Sequence, residues 1–288
     1  MKIETIISSY KKSPKVLECV DCLASTETRR IKVNGMSGSF RALFSAACTC
    51  QTEQLHVFIL PDKESAAFFF GDLEQLFQED NIDFLQKQVA FFPELSSELP
   101  NEKRKSSNFD TLLRIKTLQR IKDAERLLIV TYPEAVMQKV AMKESIEEHT
   151  FAIHKGEKLS TDFILEYLSD NNFDYNDFVF QPGQFSIRGS IVDVFSYANE
   201  YPYRIEFYED QVASLRTFEV DTQLSKSILE KIIITPDLHA QEQKIAKTNL
   251  FDAIPPDTVL WFEDISWSID TIQKKYNLLQ KSLREKSS

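Results

Sequence analysis

Four cysteines are the residues of this sequence whose spacing most directly suggests chemistry. Cys19 and Cys22 form a C-x-x-C pair, and Cys48 and Cys50 form a C-x-C pair. Paired thiols of this kind are typical ligands of a tetrahedral zinc ion. Reduced cysteine is also among the most buried residue types, and the first pair lies in a helix-like apolar pattern. Buried free thiols are therefore the favoured interpretation over zinc, and no metal site is predicted.

The histidines show no catalytic or metal-ligand spacing. They are His56, His149, His154 and His239. His149 and His154 fall in a strand-like stretch and are interpreted as surface residues or as hydrogen-bonded core residues. We therefore predict no catalytic residue and no cofactor.

A glycine-containing segment from Gly35 to Ala42 reads GMSGSFRA. It resembles the phosphate loop of helicase-type NTPases, G-x-T-G-T-G-K-T, in which backbone N–H groups and a lysine hold the phosphates and a hydroxyl binds Mg²⁺. Gly35 and Gly38 match, but Phe40 replaces a glycine, Arg41 replaces the lysine and Ala42 replaces the hydroxyl residue. The resemblance implies an inactive ATP site. An ordinary turn before a helix is the alternative, and it predicts the same inactivity.

A second trace of such motors lies near the end of the chain. The apolar run Val259–Phe262 is followed by Glu263 and Asp264, which is similar to the strand and acidic pair that hold magnesium in these motors. The order of the two acids is reversed, and acidic pairs at strand ends are common. This pair does not restore a prediction of hydrolysis.

These segments belong to alternating strand and helix patterns. Strands are predicted at 30–34, 55–60, 88–92, 126–131 and 258–262, and helices at 39–51, 62–79, 107–122 and about 266–283, with a short helix opened by Pro133. Such alternation predicts a parallel sheet with helices on both faces. From about residue 150 the pattern changes to one helix, 159–168, and several short strands. We therefore predict an α/β fold with an inserted, mostly antiparallel α+β domain.

The inserted region contains the most specific pattern in the chain. In strand-like alternation, Tyr203, Ile205 and Phe207 fall on one face, and Arg204 and Glu206 fall on the other. Upstream, the segment 185–195 reads FSIRGSIVDVF, and it places Arg188 outward before a glycine. A solvated sheet face is one interpretation of these charges, since such surface pairs contribute about 0 to 1 kcal/mol. A partner-binding face is the other.

The segment 183–221 resembles the second domain of UvrB and the matching N-terminal module of transcription-repair coupling factors. The family pattern reads F-x-V-R-G-x-I-[VL]-D-[IV]-F-P, followed by P-x-R-[IVL]-[ED]-F-F-x-[DE]-x-[IV]-x-S-[IL]-R-x-F-[DE]. The chain carries FSIRGSIVDVF at 185–195, PYRIEFYED at 202–210 and SLRTFE at 214–219. The resemblance implies a degenerate helicase-like domain over 1–146 and 237–288, and an inserted UvrA-binding domain over 147–236.

The resemblance also implies a function. It implies a non-catalytic adaptor that recruits UvrA to stalled RNA polymerase in transcription-coupled nucleotide excision repair, with Arg188, Arg204 and Glu206 on the UvrA-binding face. In the full-length family, RNA polymerase and double-stranded DNA are bound through other domains, so we expect a fragment. Ser186 stands where UvrB has a second arginine, and 172–176 departs from the family's G-Y-x-R-V.

Composition limits the alternatives. The net charge of −10 disfavours a DNA-binding module, because phosphate-backbone binding requires clustered Lys and Arg. No apolar stretch approaches a membrane span or a signal core, so a cytoplasmic protein is expected. A nucleotide-dependent nucleic-acid motor fragment remains the alternative function.

Overall fold

The computed structural model describes residues 3–25, 30–79, 86–95, 108–121, 126–141, 148–237 and 247–286. The chain divides into two compact units. The first contains the described residues of Met1–Glu94, Lys116–Lys139 and Asn249–Ser288, and the second those of Leu95–Ile115 and Val140–Thr248. The domain limits that we inferred from the sequence stay a prediction.

The first unit is built on a parallel sheet. Its helices are α1 (Ile3–Tyr10), α2 (Pro14–Leu23), α3 (Phe40–Thr49), α4 (Lys63–Phe77), α6 (Pro133–Met137), α8 (Leu250–Ala253) and α9 (Ile265–Lys286). Its strands are β1 (His56–Ile59), β2 (Val89–Phe91), β3 (Leu128–Thr131) and β14 (Val259–Phe262). Within the described chain they pair in the order β14-β1-β3-β2, with all pairs parallel. Strands β1 to β3 are buried along their whole length, as in parallel sheets covered by helices.

Local signals account for several helix ends. The side chain of Asp62 accepts a hydrogen bond from the backbone N–H of Ser65 at 2.8 Å and so caps α4, which ends at Gln78 in the left-handed conformation with φ 58°. Pro133 opens α6, where a missing N–H costs nothing. Helix α5 (Asn108–Arg120) contains the boundary between the two units.

The strand predicted at Arg30–Asn34 is wrong. These residues lie outside regular secondary structure, and Ile31 and Val33 are exposed by 41% and 37%. Both edges of β1 are already paired, with β14 and β3, and no described strand pairs with 30–34. An alternating pattern forms a strand only when another strand supplies hydrogen-bond partners. The segment before Gly35 is therefore not the strand that a phosphate loop requires.

The second unit is mostly antiparallel β-structure with one helix packed on it. Its elements are β4 (Val140–Ala141), β5 (Phe151–His154), α7 (Thr161–Asp170), β6 (Asp174–Tyr175), β7 (Gln184–Arg188), β8 (Ile191–Val194), β9 (Tyr203–Tyr208), β10 (Gln211–Phe218), β11 (Ser225–Leu229), β12 (Lys231–Ile234) and β13 (Lys247–Thr248). Of the described strands, six form one sheet in the order β11-β10-β9-β8-β7-β6. Only the pairing of β6 with β7 is parallel within that sheet.

One face of the six-stranded sheet forms the core of this unit. Ile164 and Leu168 of α7 are completely buried there, together with Ile153 of β5 and Ile234 of β12. The sheet contributes Phe185, Val192, Val194, Tyr203, Ile205, Phe207, Val212 and Leu215. Because these apolar residues alternate along their strands, the intervening residues of β7 to β10 lie on the opposite face.

Two short strands on either side of residues 148–237 pair with each other. Strand β4 pairs antiparallel with β13, so that Ala141 lies opposite Lys247 and Val140 opposite Thr248. An inserted domain begins and ends at neighbouring points, and the insertion inferred from the sequence stays a prediction.

Candidate functional site

Strand β9 has a buried face and a charged face. Tyr203, Ile205 and Phe207 are buried, whereas Arg204 and Glu206 are partly exposed. The alternation predicted from the sequence is therefore observed residue by residue. It directs the two charged side chains of β9 away from the core of the second unit.

The register of the sheet aligns polar residues of neighbouring strands in two rows. In the first row, Ser186 lies opposite Asp193, and Asp193 lies opposite Arg204. Arg204 in turn lies opposite Arg216 of β10. The second row runs from Arg188 through Ile191 and Glu206 to Ser214. We call Arg188, Asp193, Arg204, Glu206, Ser214 and Arg216 the charged face.

Asp193 is the centre of the first row. Its side chain is only 1% exposed, and its carboxylate accepts hydrogen bonds from Arg204 Nε at 2.7 Å and Arg204 Nη2 at 2.8 Å. Arg188 Nη2 also donates to Asp193 Oδ2. One buried carboxylate thus orients two guanidinium groups, the first of them through a two-point contact. Its hydrogen bonds raise the pKa of Arg204, which stays charged.

Glu206 is the centre of the second row. Its carboxylate accepts from Ser214 Oγ at 2.6 Å and from Arg216 Nη2. The side chains of Glu206 and Arg216 remain 33% and 28% exposed. This pair therefore presents an ordered anion and an ordered cation to solvent.

Arg204 is more covered than its neighbours on the charged face. Its side chain is 13% exposed, against 39% for Arg188. Its guanidinium lies 4.3 Å from the ring centroid of Phe218 and donates to Gln223 Oε1 at 3.1 Å. Arg204 therefore holds Asp193 in position while being mostly covered itself. Arg188, Glu206 and Arg216 are the charges accessible to a partner.

The site residues predicted from the sequence do not include Asp193, Ser214 or Arg216. A signal was present for Asp193, because a lone acid between Val192 and Val194 must point away from the apolar side of its strand. That it binds two arginines depends on cross-strand register, which strand patterns in isolation do not specify. The structure places the three residues that we did predict, Arg188, Arg204 and Glu206, on this same face.

The segment resembling a phosphate loop lies in the first unit. Gly35 and Gly38 have φ values of 81° and 56°. Arg41 Nε donates to Gly38 O at 3.4 Å, and Arg41 Nη1 forms an ion pair with Glu263. Ala42 is completely buried in the first turn of α3. The cation at the lysine position is thus paired with the acid that follows β14.

Phe40 and a cavity lie beside this segment. The ring of Phe40 packs edge-on against Tyr10 at a centroid distance of 5.4 Å. A cavity of about 330 Å³ lies at the carboxyl ends of β1 and β14. Its lining comprises Val33, Asn34, Gly35, Met36, Arg41, Ser45, Phe58, Ile59, Leu60, Phe69, Trp261, Phe262 and Glu263. The lining combines apolar side chains with Asn34, Ser45 and the paired Arg41 and Glu263.

The four cysteines Cys19, Cys22, Cys48 and Cys50 are free thiols in the structure. Cys19 and Cys48 are buried in one apolar cluster, and a hydrogen bond between them raises the pKa of Cys48 and lowers that of Cys19. Cys22 and Cys50 are half-buried. Across the described ranges, no group of three or more His, Cys, Asp or Glu residues is arranged to hold a metal ion.

His56 belongs to a buried hydrogen-bond chain in the first unit. Trp261 Nε1 donates to His56 Nδ1 at 3.0 Å, and His56 Nε2 lies 2.7 Å from Thr52 Oγ1. Since Nδ1 accepts, Nε2 carries the proton and donates to Thr52. His154 ends β5 and His149 precedes it; His239 lies outside the described residues.

None of the helices in the described part of the chain is long and apolar enough to cross a membrane.

Comparison with known proteins places the charged face inside a recognised segment. Residues 151–239 match the family model of the UvrB interaction domain. The chain is 28% identical over 180 residues to the transcription-repair-coupling factor of Escherichia coli, covering 62% of this chain and 15% of that protein. It is 26% identical over 202 residues to that of Bacillus subtilis, covering 70% and 16%.

UvrB proteins are similar over a longer stretch. The UvrABC system protein B of Streptococcus uberis is 25% identical over 244 residues, covering 81% of this chain and 36% of that protein. The chain spans about a sixth of the length of the coupling factors that it matches. The resemblance inferred from residues 183–221 is thereby confirmed.

Proposed function

We propose that this chain is a non-catalytic adaptor. The premise is that it carries a UvrB interaction domain and corresponds to the N-terminal UvrB-homology module of transcription-repair coupling factors. Its task is to recruit UvrA to sites of stalled RNA polymerase, which starts transcription-coupled nucleotide excision repair. In the full-length family, we expect RNA polymerase and double-stranded DNA to be contacted by other domains. The charged face within residues 151–239 is the observation that carries the proposal.

The geometry of the charged face suits protein recognition. Arg188, Glu206 and Arg216 are exposed enough to reach a partner, and each is already held by a neighbouring side chain. Binding therefore orders few additional rotamers, which lowers the entropic cost of association. UvrA would present carboxylates to the arginines and a donor to Glu206. Arg204 and Asp193 act as positioning residues.

Loss of the Arg188 side chain tests this assignment. In a calorimetric titration with UvrA of the same organism, we expect Arg188→Ala to weaken binding about 10- to 30-fold, because an oriented interfacial cation is lost. Lys155→Ala is the matched control. Lys155 is 41% exposed and pairs with Glu230 at 3.0 Å, next to the β5–β12 pair that packs on the core side of the sheet. Equal affinity of wild type and Arg188→Ala would remove Arg188 from the site.

Absence of nucleotide chemistry is the second expectation. Arg41 is paired with Glu263, and Ala42 supplies no hydroxyl for Mg²⁺. We expect millimolar Mg-ATP to leave the Tm of the protein unchanged in a thermal-shift assay and to yield no phosphate above background. A Tm increase that Arg41→Ala abolishes would favour the alternative, a nucleotide-dependent motor fragment.

A further inference from the structure

Two phenylalanine rings next to the charged face are exposed to solvent. Phe178 is 48% exposed and Phe180 is 63% exposed, and their ring centroids are 6.3 Å apart. Both lie between β6 and β7, inside the segment that matches the UvrB interaction domain. Neighbouring exposed aromatic rings on a soluble protein are characteristic of an interaction surface. We call Phe178 and Phe180 the aromatic pair.

The backbone holds the aromatic pair in place. Val179, between the two rings, is 2% exposed and packs inward with Phe195 and Phe218. Gln184 Oε1 accepts hydrogen bonds from the backbone N–H groups of Phe180 at 2.9 Å and Gln181 at 3.2 Å. An anchored residue between two exposed ones forces both rings outward. They are therefore displayed before a partner arrives.

Gly183 adds a further restraint to this loop. Its φ of +86° is a conformation that side chains disfavour, and an added Cβ would lie 2.2 Å from the Tyr197 hydroxyl. The backbone N–H of Gly183 donates to Phe195 O at 2.8 Å. The loop that carries the aromatic pair thus leads into β7 along a fixed path.

Arg188 joins the aromatic pair to the charged face. Its guanidinium carbon lies 5.2 Å from the ring centroid of Phe178, while Nη2 binds Asp193. This is cation–π geometry, in which the ring stabilises the cation and restricts its position. The charged face and the aromatic pair consequently form one continuous surface, with Arg188 at the junction.

We propose that the UvrA-docking surface continues from Arg188 onto Phe178 and Phe180, and that the two rings receive an apolar side chain of UvrA adjacent to a carboxylate bound by Arg188. The inference rests on the proposed function and adds the source of its affinity. Charged contacts at a partly solvated face chiefly set orientation and association rate, whereas packed aromatic residues and arginines dominate interface energies. UvrA is the occupant because the aromatic pair lies within the matched segment and continues the face assigned to UvrA.

Titration of UvrA with the double variant Phe178→Ser/Phe180→Ser tests the inference. We expect at least a 10-fold loss of affinity with an unchanged Tm, because both rings are exposed in the free protein. Phe163→Ser is the matched control, since Phe163 is 49% exposed on α7, which packs on the core side of the sheet. It should bind UvrA like the wild type.

A double-mutant cycle tests the junction itself. If Phe178 orients Arg188, the combined loss in Arg188→Ala/Phe178→Leu will be smaller than the product of the single losses. Losses that multiply independently would overturn the cation–π part of the inference.

The outcomes separate the two proposals. If Arg188→Ala weakens binding and the serine double variant binds like the wild type, the aromatic extension is wrong and the adaptor function stands. If the wild-type protein shows no binding to UvrA, the adaptor function fails, and the extension fails with it.

Discussion

Replacing Asp193 with alanine is expected to lower the free energy of unfolding by about 3 kcal/mol. The substitution removes the acceptor of both Arg204 hydrogen bonds and of the Arg188 hydrogen bond. Breaking a buried ion pair from one side typically costs about 3 to 5 kcal/mol, since the remaining charge is left uncompensated. The lower end applies because Arg204 keeps Gln223 and the Phe218 ring as partners, and Arg188 is exposed.

Urea denaturation followed by circular dichroism measures this effect. Glu230→Ala is the control, because its pair with Lys155 is exposed and should contribute no more than about 0.5 kcal/mol. Asp193→Asn keeps the shape of the side chain and removes its charge, so its free energy of unfolding should fall between those of the wild type and the alanine variant. If Asp193→Ala unfolds at the same urea concentration as Glu230→Ala, Asp193 is not the centre of the charged face.

The same substitution carries a functional expectation. Without Asp193, the contact with Phe178 is the one that Arg188 retains among the described residues, so its side chain samples more rotamers. Under conditions where the variant is folded, its affinity for UvrA should fall about as far as that of Arg188→Ala. A stable variant with normal UvrA affinity would show that the orientation of Arg188 is unimportant for binding.

Stability of the first unit should fall as the pH is lowered from about 6.5 to about 4. Burial lowers the pKa of His56 to about 4, and the side chain is 1% exposed. In the unfolded chain a histidine has a pKa of about 6.5. Between these values the unfolded state binds a proton that the folded state does not, so acidification favours unfolding. The contribution of neutral His56 to the free energy of unfolding is fully present above pH 6.5. The difference between the folded and unfolded pKa values corresponds to about 3 kcal/mol.

The hydrogen-bond chain gives the physical reason. Nδ1 of His56 accepts from Trp261, and Nε2 donates to Thr52. A second proton on Nδ1 would face the Trp261 N–H, and the charge would have no described acid beside it. The folded state therefore resists protonation of His56.

His56→Gln isolates this contribution from the carboxylates that also titrate in acid. Urea denaturation of both proteins at pH 4, 5, 6, 7 and 8 gives the difference in unfolding free energy. We expect that difference to be constant above pH 7 and to shift by about 3 kcal/mol in favour of the variant at pH 4. A difference that does not vary with pH would show that His56 titrates normally in the folded protein.

Local sequence patterns predicted the secondary-structure elements of this protein better than they predicted its tertiary contacts. The alternation from Tyr203 to Phe207 defined β9 and its two faces, because the side-chain period of a strand is two whatever its neighbours are. The pattern at Arg30–Asn34 is just as regular, yet it forms no strand, because no described strand pairs with it. Strand formation is decided by pairing, which a single segment does not encode.

The candidate site was likewise predictable from the sequence only in part. Arg188, Arg204 and Glu206 could be assigned to one outward face from residue type and spacing, with the family pattern indicating their use. Their unequal roles could not. Arg204 is mostly covered beneath Phe218 and Gln223, and Asp193 connects it to Arg188, because β7, β8 and β9 meet in one register.

The sequence by itself determined the alternation of each strand, the replacement of phosphate-binding residues at positions 40 to 42, and the resemblance to a UvrB interaction domain. These depend on residue identity and local geometry. Only the tertiary structure decided that Arg41 pairs with Glu263, that Asp193 holds two arginines, and that Phe178 and Phe180 lie beside Arg188. Such contacts join side chains whose distance depends on strand order and register, which arise only when the whole core is assembled.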